Sequence, residues 1–550
     1  MYAHAPFRFG VAVLILICNT VSASDGTGSA RHSLFSVDGD AQHDNFGSQA
    51  CFVGDINRDG FDDFAAGASH SSFGDRGYVR VFSGSDGVEL YTFIAEEPED
   101  SFGLALAGGL DVNNDGYDDI IVGAQRASLV GHVRIFSGAT GDELYRLVPP
   151  EGSSQFGFSV AALGDINGDG LDDFIVGHPK GHNDNIQVGQ ATIYSGDGSE
   201  LFVVSGDADQ DRFGWSVSSA GDVNADGTPD FVVGTSKHTI GGVGYARVFS
   251  GADASVLFTK HGDAIRDHFG GAVSGAGDVN GDGYDDVIVS ATQASMSADP
   301  GYVRVFAGPN GTELYTLRGD AGGDRFGEAI SSIGDINGDG LDDIIAGAPR
   351  SFGRGYVRLF SGDGATLRTL VGDPGDRIGQ AVDGGYDINR DEVLEILVGV
   401  PAADNAATNT GTVHLLSTEP LPLATDQHLV SLSEGGNVAF CIDAGNHSAG
   451  LRYLLVGSKS GISPGFVVDG FTIPLNVDSY FEYTHRRPNQ APLSNSLGFL
   501  DDNGQGNATF TVPPQSNPAL VGLTLHHAYA VFQGGSVVFV SNPAPVTLVQ

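Results

Sequence analysis

Apolar residues in this chain come in short bursts, not in helical stripes. A small-residue strand such as FGFSVAALG (156–164) enters an acidic loop. An apolar run follows, DFIVG (173–177) or DIIAG (343–347), too short for a helix and bounded by turn residues. After a loop of variable length comes an alternating strand, YVRVFSG (78–84) or GYVRLFSG (355–362), and a glycine turn leads to a fourth strand such as ELYTL (313–317). The pattern predicts four strands per unit, and the unit recurs seven times. Four-stranded units repeated radially are blades of a β-propeller.

The acidic loop marks each repeat: DINRDGFDD (55–63), DVNNDGYDD (111–119), DINGDGLDD (165–173), DVNADGTPD (222–230), DVNGDGYDD (278–286), DINGDGLDD (335–343) and DINRDEVLE (387–395). The starting residues lie 52 to 57 positions apart, and a Phe-Gly pair sits nine residues upstream of each, replaced by Ile378-Gly379 in the seventh. The fixed offset is that of a strand running straight into a metal loop. The N-terminal HSLFSVDGD (32–40) resembles a fourth strand and its turn, while the seventh unit runs out after GTVHLLS (411–417). Residues near 33–37 are therefore expected to complete the seventh blade and close the ring, removing its open edges.

Oxygen ligands at alternating positions wrap a hard cation, and a glycine at position six permits the sharp turn. The expected donors in the first three loops are Asp55, Asn57, Asp59, Phe61 and Asp63; Asp111, Asn113, Asp115, Tyr117 and Asp119; and Asp165, Asn167, Asp169, Leu171 and Asp173. In the next three they are Asp222, Asn224, Asp226, Thr228 and Asp230; Asp278, Asn280, Asp282, Tyr284 and Asp286; and Asp335, Asn337, Asp339, Leu341 and Asp343. The position-seven residue would give its backbone carbonyl. His and Cys are missing from the loops, which disfavours zinc and copper. Position twelve is apolar, as at Val176, so these are not EF-hands. The loops hold 27 of the chain's 69 acidic residues, a density that repels itself without a cation. The expected cofactor is Ca2+ in about six loops; Glu392 replaces the glycine of the seventh and makes that one doubtful. The position-eight acids are expected to face solvent.

A formal net charge of −42 over 550 residues argues against nucleic acid and anionic membrane surfaces as partners. Three cysteines, Cys18, Cys51 and Cys441, do not make a disulfide framework. Arg8, the apolar VAVLILIC (11–18) and the small residues of VSA (21–23) read as a signal peptide over 1–23, too short to span a bilayer. The remainder is expected to be exported without membrane insertion, secreted or held at the cell surface.

The Phe-Gly pair, the D-x-N-x-D-G-x-x-D loop and the following Gly347-Ala348-Pro349 resemble the FG-GAP repeat, which builds the N-terminal seven-bladed propeller of integrin α subunits. The resemblance covers roughly 30–418. It implies calcium in the loops between strands one and two on one face of the disc, and partners on the opposite face. Departures are local: Gly177-His178-Pro179 in unit three, Gly399-Val400-Pro401 in unit seven, and no proline in several others. The variable loops at 69–77, 178–190, 236–244 and 292–301 are candidates for recognition. Arg318-Gly319-Asp320 looks like an adhesion tripeptide, but Gly-Asp recurs at the same place in other units and explains it.

A linker at 419–427 ends the repeats, and short alternating strands from 428 to 550 suggest a β-sandwich-like domain. The fold class is thus all-β: a seven-bladed propeller followed by that domain. His526 and His527 share a strand and face opposite ways, so a shared metal is not expected. DDNGQGNATF (501–510) reads as a hairpin loop. The leading functional reading is a calcium-binding exported protein that acts in extracellular binding or cell adhesion to a protein or glycan partner. A matrix component rigidified by calcium, without a ligand, is one alternative. A propeller-based polysaccharide hydrolase or lyase is another, although no HExxH, GxSxG or reactive Cys is present and no catalytic residue is assigned.

Overall fold

The computed structural model describes residues 33–550 apart from 69–75, 99, 127–129, 150–154, 184–185, 237–241, 294–298, 351–353, 391–392, 404–408, 419–422, 426–428, 445–447, 449, 462–465, 469–470, 474, 502–504, 534–535 and 542–543. The expected signal peptide and parts of the variable loops lie outside the described residues. Among the described residues up to 417 there are seven four-stranded antiparallel sheets. The first is built from Phe46–Gly54, Asp63–Ala68, Tyr78–Phe82 and Glu89–Ile94 in that spatial order. Five more follow with the same order and connectivity, ending at Pro374.

The seventh sheet is made from both ends of the propeller. Val382–Tyr386, Glu395–Val400 and Thr412–Ser417 are consecutive strands, and Ser33–Asp38 pairs antiparallel with the last of them, Val37 opposite Val413. Ser36 Oγ lies 2.8 Å from His414 Nδ1 across this seam.

The second strand of every blade is buried along its whole length, which explains why it reads as an unbroken apolar run. Each buried cluster joins two successive blades. Val53, Val79 and Val81 of the first pack with Phe102, Ile120 and Phe136 of the second. Leu34, Phe35, Leu397 and Val413 of the seventh pack with Phe46, Phe64 and Phe82 of the first, so the core runs round a closed ring. The glycine near the end of the second strand allows the blades to meet: a Cβ at Gly399 would lie 2.1 Å from the Gly47 carbonyl oxygen. At Gly47, in the Phe-Gly pair, φ is +83°, where other residues are disfavoured.

The C-terminal residues form a four-stranded sheet, containing Gly436–Asp443 and Gln505–Val512, and a six-stranded sheet, containing Arg452–Ser458, Thr524–Gln533 and Ala544–Val549. Val438, Phe440 and Phe510 of one sheet share a core with Leu455, Tyr529 and Val546 of the other. A short helix, Ser479–Arg486, packs there as well, capped by Asp478, whose carboxylate accepts the Tyr480 and Phe481 N–H groups. His527 is buried against Phe440, Tyr480 and Phe510, and its Nε2 lies 3.1 Å from the Tyr480 hydroxyl. No helix among the described residues is long and apolar enough to cross a membrane.

Candidate metal loops

Each acidic loop joins the first and second strands of its blade, and its carboxylates organise its backbone. In the first, Asp55 accepts the N–H groups of Asp59 (3.1 Å) and Gly60 (2.8 Å). Asn57 Oδ1 accepts Asp59 N–H at 2.7 Å, and Asp59 accepts Phe61 N–H at 3.0 Å. The sixth loop repeats this with Asp335, Asn337, Asp339 and Leu341. Serines at the end of the third strand reach the position-five acid: Ser195 donates to Asp169 at 2.9 Å and Ser361 to Asp339 at 3.0 Å.

Position nine begins the buried second strand. Asp63, Asp119, Asp173, Asp230, Asp286 and Asp343 are all fully buried. Each ties its loop to the end of the third strand by accepting a glycine N–H: Gly84 to Asp63 at 3.0 Å, Gly308 to Asp286 at 2.9 Å, Gly362 to Asp343 at 2.9 Å. Burial pushes the carboxyl up to about 8 at Asp63, about 7 at Asp119 and Asp286, and about 6 at Asp173, Asp230 and Asp343. The charges of Asp59 and Asp55 add to the rise at Asp63, which places positions one, five and nine within electrostatic reach of one another. Among the described residues no group of three or more His, Cys, Asp or Glu is arranged as a ready cation cage. The position-one and position-five carboxylates accept backbone N–H groups, which leaves lone pairs on their oxygens for an ion.

In the seventh loop Glu395 takes the buried place of position nine, accepting Ile388 N–H at 2.9 Å and Asn389 Nδ2–H at 3.0 Å. Residues 391–392, with the substituted glycine, lie outside the described residues.

The position-eight acids do not face solvent as expected; they latch neighbouring loops together. Asp172 accepts the N–H of Asp111 in the preceding blade at 2.8 Å, Asp285 that of Asp222 at 2.7 Å, and Asp342 that of Asp278 at 2.9 Å. Asp172 and Asp342 also donate their own N–H to the Asp111 and Asp278 carbonyls, both at 3.2 Å. Pro229 and Leu394 interrupt this series. In the first loop Arg58, at position four, donates to the Gly116 carbonyl at 2.7 Å and stacks 4.0 Å from the Tyr117 ring. Arg390 lies 4.9 Å from the Phe61 ring.

A second acidic motif escaped the sequence reading. The aspartate two residues before the Phe-Gly pair caps its own turn and a tyrosine of strand three. Asp211 accepts the N–H of Asp207 (3.0 Å) and Ala208 (2.9 Å) and the Tyr245 hydroxyl (3.0 Å), and Asp267 and Asp324 do the same with Tyr302 and Tyr356. The spacing G-D-x-x-x-D-x-F, visible at 206–213, 262–269 and 319–326, is its signature. The same motif accounts for Arg318-Gly319-Asp320: the Asp320 carboxylate is held by Arg358 at 2.9 Å.

The FG-GAP repeat family model matches residues 46–82, 102–141, 156–193, 213–249, 269–306 and 326–360. The chain is similar to Integrin alpha-5 of Xenopus laevis, 32% identical over 208 residues, covering 34% of this chain and 20% of that protein. It is 29% identical to Integrin alpha-V of Gallus gallus over 211 residues, 35% and 20% of the two chains. It is 26% identical to Integrin alpha-4 of Xenopus laevis over 281 residues, 48% and 26%. The chain thus spans about a fifth to a quarter of the length of these relatives. Blade order, Phe-Gly pairs, acidic loops and these matches agree: the chain is an FG-GAP repeat protein with a β-propeller like that of integrin alpha subunits.

Proposed function

We propose that this protein is exported and acts outside the cell, where its propeller binds calcium and a protein or glycan partner. The observation that carries the calcium reading is the repeated burial of position nine beside two further carboxylates. Every side-chain donor in these loops is an oxygen, which suits a hard cation. Carboxylates kept this close raise one another's affinity for protons, and a divalent ion relieves the same repulsion. Positions one, three, five and nine, with the carbonyl of position seven, would hold the ion in the first six loops. The seventh, with Glu395 at position nine, is the weak one. The ion's contribution is rigidity: it would fix the loops that link first and second strands on one disc face, leaving the other face to partners. The likeness to integrin alpha chains supports a binding role, and no catalytic group is assigned.

The test is a thermal melt with millimolar calcium and with excess chelator, together with metal counting by mass spectrometry. About six ions and a calcium-dependent rise in Tm are expected. Neither a shift nor bound metal would reduce the loops to turns stabilised by their own carboxylates.

A further inference from the structure

At the end of each first strand away from the acidic loop, the residue before the Phe-Gly pair has a left-handed backbone in every blade. Its φ is +51° at Asn45, +60° at Ser101, +53° at Gln155, +56° at Arg212, +61° at His268, +59° at Arg325 and +60° at Arg377 in the equivalent seventh position. One conformation at one place per blade sets these side chains on a common rim. The rim is divided. Blades one to three carry neutral residues, and blades four to seven carry Arg, His, Arg and Arg. Three of these four are arginines, in a chain with 27 Lys and Arg against 69 Asp and Glu. The nearby Asp211, Asp267 and Asp324 carboxylates are engaged by turn N–H groups and tyrosine hydroxyls.

Two residues past the Phe of each Phe-Gly pair comes a second repeated position, aromatic in blades three and four. Trp215 sits 4.4 Å from Phe158 of the preceding blade, with the Arg212 guanidinium 5.6 Å from its ring. Glu328 pairs with Arg325 and accepts the Gln380 amide at 3.4 Å. Between Trp215 and Glu328, the fifth blade contributes only Gly271, where an added Cβ would meet nothing within 4 Å but the His268 carbonyl. The result is a notch with Arg212 and Arg325 on either side and His268 between them. Burial pulls the His268 imidazole below its usual range; the neighbouring Asp267 charge opposes this, and those of Arg325 and Arg212 add to it.

We propose that this notch and the basic rim from Arg212 to Arg377 bind a polysaccharide carrying uronate carboxylates. The inference rests on the reading that partners bind the face opposite the acidic loops. Guanidinium groups match carboxylates in planar two-point contacts. Cations recur at this one backbone position in blades four, six and seven, with the neutral His268 between them, a spacing suited to a polymer that carries repeated carboxylates. The half-exposed Trp215 beside them offers an aromatic edge to a sugar ring.

Trp215 is the sole tryptophan, so its emission reports on the site directly. The full chain would be titrated with a galacturonic acid hexamer at constant calcium, with polyglutamate and a neutral glucan as comparisons. A saturable emission change with the hexamer, weakening as salt rises, is expected. Arg212→Gln should weaken it about tenfold with the melt unchanged, since Gln155 already holds that backbone conformation in blade three; Arg325→Gln should weaken it as much but lower the melt, because Glu328 loses its ion pair. No emission change overturns the proposal. Equal or tighter binding of polyglutamate replaces it with an acidic peptide, and unchanged affinity in both variants places the ligand elsewhere. A calcium-dependent melt in the same samples separates the two readings: if that shift survives while the hexamer fails, only the uronate assignment falls.

Discussion

Asp169 and Asp172 stand three residues apart in one loop and hold different things. Asp169 accepts the Leu171 N–H and the Ser195 hydroxyl within its own blade, whereas Asp172 fastens the neighbouring blade through the Asp111 N–H. Asp169→Ala is expected to lower stability in calcium by about 1.4 kcal/mol at a tenfold excess over Kd, and much less in chelator. Asp172→Ala is expected to cost about 1–2 kcal/mol in either condition, since it removes a hydrogen bond to a charged group. Denaturant melts of both variants, with and without chelator, test the contrast; equal calcium sensitivity in the two would mean that position eight is itself a ligand. The position-nine acids add a pH dependence. Their folded values, about 6 to about 8, lie above the ordinary carboxyl value of 3.8. The stability that protonation gives is full below about pH 4 and is lost as pH rises through that window. In chelator, Tm should therefore fall between about pH 4 and about pH 8. Calcium, which needs the ionised form, should offset the fall most at the alkaline end.

At the scale of the element, the loops depend on the glycine ahead of them. Gly277 has φ of +67°, and a Cβ there would lie 2.0 Å from the Asp342 carboxylate of the next blade. Gly338, inside the sixth loop, has φ of +75° but open space around it. Gly277→Ala is expected to cost about 3 kcal/mol, through overlap and a broken latch. Gly338→Ala should cost about 1 kcal/mol, from conformation alone; urea unfolding separates them. The blades were legible in the sequence because a central strand buried on both faces is an apolar run of fixed length, and because the acidic loops repeat at fixed offset. The position-eight latch was not, since a carboxylate facing a neighbouring blade has the same letter as one facing water. Only the Gly-Asp opening of the motif, where the next loop's acid needs room, carried a trace of it. The helix Ser479–Arg486 was missed for another reason: eight residues hold barely two turns of periodicity. Its remaining signals are the Asp478 cap and the basic His485 and Arg486 at its end.

At the scale of the molecule, seven blades become a ring through one six-residue strand, Ser33–Asp38. It buries Leu34 and Phe35, each 6% exposed, against the seventh and first blades. A chain beginning at residue 39 should lose about 4 kcal/mol from those two side chains, and a synthetic peptide covering 33–38 should restore its melting temperature. An unchanged melt would mean that the ring holds without this strand. The two partners in the seam are far apart in the chain: Ser36 and His414 are 378 residues from each other. During synthesis the closing strand emerges first and its place last, so the ring stays open until nearly the whole propeller has been made. An open ring presents one unpaired strand edge and carries one loose strand that fits such an edge. In a crowded solution the edge met first belongs to another copy, and two chains that exchange N-terminal strands form the same contacts as one chain closing on itself. Slow or concentrated refolding is thus a route from rings to strand-swapped dimers.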